Sequence, residues 1–241
     1  MELADKYNLF IVEDAAQAID SYYTTNQGKC LPLGSIGHLA AFSFHETKNI
    51  ISGEGGMLVI NDKRFIERAE IIREKGTNRS KFFRGEVDKY GWVDIGSSFL
   101  PSDIIAAFLY AQIEHLDLIQ RKRIEIWNKY YKELKFLEEN KKIKLPLIKS
   151  YASNNAHMFY VVCKNLNERA ELINHLKREN IYAVFHYLSL HKSPYYNNKY
   201  IGDELKHSDY FSDCLVRLPF YFELTESDQQ RVISSILNFY K

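Results

Sequence analysis

Short apolar runs alternate with helical stripes over the first part of the chain. Residues 9–12 (Leu9, Phe10, Ile11, Val12), 39–44 and 56–60 are mostly apolar and are bounded by polar or glycine-rich sequence. Such runs predict strands of a largely parallel sheet buried on both faces. Between them the period lengthens: Phe65, Ile66, Ala69 and Ile72 fall on one face of a helix expected over residues 63–75, stopped by Gly76. Residues 1–7 read as the end of another helix, and residues 103–118 and 120–139 as two long ones. The first of these starts after Ser102, and the second, rich in charge, is placed to bridge two parts of the chain.

Pro146 breaks this pattern. Beyond it, residues 158–162 predict a strand, Asn167 the cap of a helix bearing Leu172, Ile173 and Leu176, and residues 182–184 a short strand. Thr225 with Asp228 forms a capping-box variant opening a last helix, whose stripe is Val232, Ile233, Ile236, Leu237 and Tyr240. The expected architecture is therefore an α/β part over residues 1–145, including the bridging helices, and a smaller α+β part over residues 146–241.

Composition narrows the class. The chain has 241 residues, 46% hydrophobic and 26% charged, enough to bury a sizeable core, and its net charge of +1 gives no reason to expect nucleic acid. Cys30, Cys163 and Cys214 lack metal-ligand spacing, and an odd number cannot pair completely within one chain, so a reducing compartment is expected. No apolar run approaches the roughly 18 residues of a membrane span, and Glu2 and Asp5 stand where a signal peptide would be basic and then apolar. No membrane association is expected, and the cytoplasm is the expected location.

The candidate chemistry lies where strands end. Asp14 follows the run at 9–12, and Lys48 closes the polar stretch after the run at 39–44. Active sites of open α/β sheets gather at such carboxyl ends. A lysine with a pKa near 10.4 is only about one part in a few thousand neutral at pH 7, so an amine that attacks a carbonyl needs help from its surroundings or from a cofactor. Pyridoxal 5′-phosphate meets that need: a lysine holds its aldehyde, and a carboxylate keeps its ring nitrogen protonated. Taken singly, each residue has a plainer reading. Asp14 suits a helix N-cap, Lys48 a solvated surface amine, and Ser43 a hydroxyl bonded to nearby backbone.

The stretches Glu13-Asp14-Ala15-Ala16-Gln17, Gly34-Ser35-Ile36-Gly37 and Phe42-Ser43-Phe44-His45-Glu46-Thr47-Lys48 together resemble the DegT/DnrJ/StrS sugar aminotransferases, enzymes of PLP fold type I. Residues 73–79, 96–103, Phe185-His186-Tyr187 and Leu190-His191 extend the likeness towards a branch acting on dTDP-linked sugars. The resemblance implies that Lys48 forms the Schiff base and carries the proton, Asp14 pairs with the pyridine nitrogen, Ala16 packs under the ring, Gln17 reaches the ring hydroxyl and Ser43 contacts the phosphate. It further implies ping-pong transfer of an amine from glutamate to the 4-keto carbon of dTDP-4-dehydro-6-deoxyglucose. A different keto sugar nucleotide, or a noncatalytic or complementing chain, are the alternatives. A sugar 3-dehydratase of the same fold carries histidine at the lysine position, and Lys48 argues against it.

Two departures from the family pattern shape the expectations. Ser98 and Leu100 stand where most members have Asn and Arg, the Asn reaching the neighbouring subunit's cofactor phosphate, so Ser98 is a candidate cofactor contact across a homodimer or merely shapes its loop. Family members also precede the position of Met1 with a large segment, so the chain is expected to be a C-terminal part that pairs with itself or with an N-terminal half. Its apolar sheet faces are expected to be exposed, and its activity alone weak or absent. Arg79, in a basic cluster with Lys75, Lys81 and Arg84, is a candidate contact to a nucleotide diphosphate, the plain alternative being a solvated loop. His186 and Tyr187 are candidate substrate contacts, with His191 nearby. Glu54-Gly55-Gly56 reads as a tight turn into a strand.

Overall fold

The computed structural model describes residues 1–241. They divide into two units, residues 1–118 with 150–155, and residues 119–149 with 156–241.

The first unit opens with helix α1 (Glu2–Tyr7), then strand β1 (Val12–Asp14), a hairpin of β2 (Tyr22–Thr24) and β3 (Cys30–Pro32), and strands β4 (Leu39–Ser43) and β5 (Gly56–Ile60). A 3-10 turn at Lys63–Phe65 leads into α2 (Ile66–Arg73), α3 (Arg79–Phe83) and α4 (Asp103–Glu114). The main sheet has the order β1-β4-β5. β1 and β4 run parallel, with Val12 opposite Leu39 and Asp14 opposite Ala41, so both strands deliver their last residues to the same edge. β5 returns antiparallel, setting Gly56 against Ser43.

Two predicted elements shift here. The run at 9–12 is not a buried strand: Leu9 and Phe10 are exposed and precede the ladder, which begins only at Val12. Phe10 instead meets His38 and Phe65 edge-on, at 5.4 and 5.2 Å between ring centres. The helix expected over residues 63–75 is split, because the Asp62 carboxylate accepts the Arg64 N–H at 3.0 Å and caps a 3-10 turn before α2 begins. Gly76 does follow the helix end, with φ +78°, and it has a second role. A Cβ there would lie 1.9 Å from the Asp94 carbonyl oxygen, so only glycine lets these two segments touch.

Helix α4 is capped by Ser102, whose Oγ accepts the Ile105 N–H at 3.3 Å. It is apolar along most of its length, yet none of its residues is buried. Ile104 is 81% exposed, and nearby in sequence Trp92 and Ile95 are 83% and 84% exposed.

Helix α5 (Leu116–Glu139) begins after a break at His115 and, from Ile119 on, belongs to the second unit. It is followed by β6 (Tyr160–Val162), α6 (Leu166–Arg178), β7 (Val184–Phe185), a 3-10 turn at Leu190–Lys192, α7 (Lys206–Cys214), β8 (Leu215–Arg217) and α8 (Glu226–Phe239). The sheet order is β6-β8-β7, antiparallel throughout. Trp127, Tyr130, Leu134 and Leu137 line one face of α5 at helical spacing and pack with Phe159, Val161, Leu172, Leu176, Val216, Ile233 and Ile236. Full burial of such a side chain contributes about 1.5–3 kcal/mol, so this core stabilises the unit. The α6 cap is Asn165, not Asn167, its side chain accepting the Glu168 N–H at 3.0 Å. Thr225 caps α8 as expected, with Asp228 answering it. No helix is long and apolar enough to cross a membrane.

Candidate active site

Glu13 explains how the sheet edge is set. Its side chain is half-buried, and its two carboxylate oxygens accept three backbone N–H groups: Gly34 at 2.8 Å, Ile36 at 2.7 Å and Gly37 at 2.6 Å. That clamp fixes the turn entering β4 against β1. Gly37 tolerates the fit because it lacks a Cβ, which would lie 2.9 Å from Ile11 Cγ2.

Asp14, the next residue, is the last of β1 and is exposed. No helix follows it, so it is not an N-cap; its Oδ1 accepts the Ala16 N–H at 3.1 Å and closes a turn. No lysine, arginine or histidine of the chain forms an ion pair with it. Ala16 is half-buried in this turn and Gln17 is exposed.

Ser43, the last residue of β4, lies on the same edge, and its Oγ accepts the His45 N–H at 3.3 Å. The backbone partner expected as the plain alternative is thus present, while the hydroxyl proton is left to donate elsewhere. A turn follows, closed by the Lys48 N–H to the His45 carbonyl at 2.9 Å. His45 Nδ1 meets the Thr47 hydroxyl at 2.9 Å within it. Lys48 is half-buried, with Asn49 and Ile50 buried directly behind it. Its amine has no carboxylate within ion-pair distance.

Two asparagines bind the loops of this edge together. Asn49 Nδ2 donates to the Asn155 carbonyl at 2.7 Å, and Asn155 Nδ2 donates to the Gln17 and Ile19 carbonyls at 2.7 and 2.9 Å. The loop after β1, the Lys48 loop and residues 150–155 are therefore held as one piece. Sequence reasoning passed over both asparagines; the position of Asn49 next to Lys48 was the available signal.

The other candidates in this unit lie on different segments. Ser98 is exposed and bridges Glu74 in antiparallel fashion. Arg79 opens α3, 3.9 Å from a Glu74 oxygen and with its guanidinium 5.0 Å from the Phe83 ring centre. Its neighbours are neutralised: Lys81 pairs with Glu67, and Arg84 makes two contacts to Glu70, at 2.9 and 3.0 Å, and one to Glu86 at 2.6 Å. The cluster is a laced surface of both charges.

In the second unit, His186 and Tyr187 follow β7, their rings 5.4 Å apart. Burial, and then the positive charge of Arg217, push the His186 imidazole below its ordinary pKa. His191 Nε2 lies 3.3 Å from one Asp209 oxygen without hydrogen-bond geometry, and the other oxygen holds Lys192 at 2.8 Å. Arg123 is buried without an acid; its donors reach the Ala156 and His157 carbonyls at 3.1 and 2.6 Å, and burial lowers its pKa to about 10.

Comparison with known proteins places this arrangement. Residues 1–237 match the DegT/DnrJ/EryC1/StrS aminotransferase family. GDP-perosamine synthase of Escherichia coli O157:H7 is 34% identical over 202 residues, covering 83% of this chain and 50% of that protein. UDP-4-amino-4,6-dideoxy-N-acetyl-beta-L-altrosamine transaminase of Campylobacter jejuni is 28% identical over 239 residues, covering 98% of this chain and 60% of that one. The crystal structure of S. venezuelae DesV in complex with a ketimine intermediate superposes with a TM-score of 0.83 at 30% identity, across all of this chain and 60% of DesV. The chain thus spans about three-fifths of the length of most relatives it matches.

Proposed function

The chain belongs to the DegT/DnrJ/EryC1/StrS aminotransferase family, and from that premise we propose that it carries the lysine-bearing site of a pyridoxal-phosphate-dependent sugar aminotransferase. The carrying observation is the shared edge of β1 and β4, which presents an unpaired carboxylate, a hydroxyl and, one turn on, an amine without an acidic partner.

Those residues suit the cofactor's chemistry. Bound pyridoxal phosphate supplies an electron sink at the substrate carbon. Asp14 keeps a proton on the ring nitrogen; an opposite charge about 4 Å away is worth on the order of 4 kcal/mol at an effective dielectric of 20. Its bond to the Ala16 N–H aims the carboxylate and leaves Oδ2 for that task. Lys48 Nζ would hold the cofactor's aldehyde end and carry one proton. The Ser43 hydroxyl would donate to its phosphate, while Ala16 and Gln17 would complete the ring's surroundings. Ser98 is assigned to a phosphate contact, and Arg79, His186 and Tyr187 to the substrate. In this reading residues 1–145 form part of the cofactor-binding domain and residues 146–241 the smaller domain.

The substrate we infer is a nucleotide-linked 4-keto-6-deoxy sugar, dTDP-4-dehydro-6-deoxyglucose, with glutamate as donor. The names of the relatives, a GDP-perosamine synthase and a UDP-linked altrosamine transaminase, support amino transfer to a sugar nucleotide, and direct assay identifies the nucleotide. A homodimer is part of the proposal, supported by the exposed apolar residues of α4 and its approach. Sedimentation should show self-association that weakens in Ile104→Glu; a monomer at all concentrations would remove it.

The assignment of Lys48 is tested by incubating the chain with pyridoxal phosphate, reducing with borohydride and mapping the labelled peptide. One dominant label at Lys48 is expected. Label spread over surface lysines would overturn the assignment.

A further inference from the structure

Resting on the reading of His186 and Tyr187 as substrate contacts, we propose that Arg217 and His186 together form a receptor for an oxyanion of one reactant. Arg217 lies on β8, the central strand of the second unit's sheet, directly opposite Val184 of β7. His186 is two residues past Val184, and side chains two apart in extended chain point to one face. Register therefore brings the guanidinium and the imidazole to the same side of the sheet.

Their polar atoms are unusual in this chain. Arg217 Nε and His186 Nδ1 are both shut away from solvent, and neither has a hydrogen-bond partner. Arg217 Nη2 reaches the Phe185 carbonyl only at 3.5 Å, and the guanidinium lies 5.9 Å from the centre of the Tyr187 ring. No carboxylate comes within ion-pair distance of Arg217, whereas Arg64, Arg68 and Arg84 each hold one. Arg123 also lacks an acid, yet its donors are met by two carbonyls.

A buried guanidinium N–H left without an acceptor costs stability, and leaving it so is understandable where a ligand supplies the missing oxygen. Burial and the Arg217 charge lower the His186 pKa and so favour the neutral ring, which in one tautomer donates from Nδ1. A guanidinium N–H beside an imidazole N–H suits a ligand bearing two or more anionic oxygens. Ser212 steadies the wall, donating its hydroxyl to the Tyr187 carbonyl at 2.9 Å. Two sources offer this chemistry: the carboxylate of the amino-acid donor and the phosphate of the sugar nucleotide.

The test is an NMR titration of the isotope-labelled chain with glutamate and, separately, with inorganic pyrophosphate. The reporters are the Arg217 Nε–H signal, identified as the one absent from Arg217→Gln, and the amides of Tyr187 and Val216. A saturable shift with either anion is expected, with affinity falling about tenfold or more in Arg217→Gln, as befits a lost charged hydrogen bond. His186→Gln should weaken binding while leaving the Arg217 signal in place, and unchanged α6 and α8 amide shifts show that both variants keep their fold. Response to glutamate alone assigns the receptor to the donor, and to pyrophosphate alone, to the nucleotide. Absence of a saturable shift with both, or equal affinity in Arg217→Gln, overturns the proposal. Because the readout uses neither cofactor nor turnover, it stands or falls separately from the borohydride result at Lys48.

Discussion

Alanine at position 48 is expected to abolish borohydride-fixed pyridoxal phosphate, and transamination in a complete enzyme, while folding stays nearly unchanged. The asymmetry follows from the surroundings of the side chain. Lys48 is half-buried and its amine has no acidic partner, so truncation removes no ion pair and opens no core cavity. Substitutions of that kind shift stability by about 0.5 kcal/mol or less. The chemistry has no such tolerance, because the amine that holds the aldehyde is also the proton carrier. Lys48→Arg keeps the charge and is expected to be equally dead, since a guanidinium does not condense with the aldehyde at neutral pH. Mass spectrometry of the reduced adduct and a thermal melt read the two halves separately. Normal labelling in Lys48→Ala would move the Schiff-base role to another lysine.

Glu13→Ala is expected to have the opposite profile, a loss of about 3–5 kcal/mol from the first unit with no catalytic group removed. Three N–H groups would lose one shared anionic acceptor, and a hydrogen bond to a charged group contributes about 1.5–3 kcal/mol, less than additively here. Glu13→Gln should fall between wild type and alanine, because an amide keeps one acceptor oxygen and turns an NH2 towards donors that need an acceptor. Urea unfolding gives the loss, and hydrogen exchange locates it. The Gly34, Ile36 and Gly37 amides should exchange much faster in Glu13→Ala. Retained protection there would show that the turn holds without the carboxylate. Since Asp14 and Ser43 end the two strands this clamp aligns, the variant should also label more weakly at Lys48.

The parts of the fold that could be read in advance are those with long periods or local caps. Helices α5 and α8 carry their apolar stripes over several turns, and the last is flagged further by Thr225 and Asp228. The hairpin of β2 and β3 and the strand β8 run for three residues each, too short for any period to register. The α6 cap was placed two residues late because Asn165 and Asn167 are the same residue type; the extended backbone of Asn165, at φ −157°, decides between them.

The candidate site divides in the same way. Asp14 and Lys48 stand out because each follows an apolar run, and Ser43 because it is a hydroxyl inside one. Glu13, Asn49 and Arg217 do not, since their partners are remote in sequence: Asn49 and Asn155 are 106 positions apart. A count of positive charges is likewise blind to Glu67 and Glu70 on the preceding helix, which pair with Lys81 and Arg84.

The return of residues 150–155 to the first unit constrains how this protein can be recombined. The backbone passes between the units three times, after residues 118, 149 and 155. A chimera joined once, near residue 145, would import a foreign segment in place of Ser153, which accepts the Tyr22 N–H at 2.7 Å, and of Asn155. Transplanting the second unit from a relative therefore calls for three junctions, with the short native stretch kept by the host.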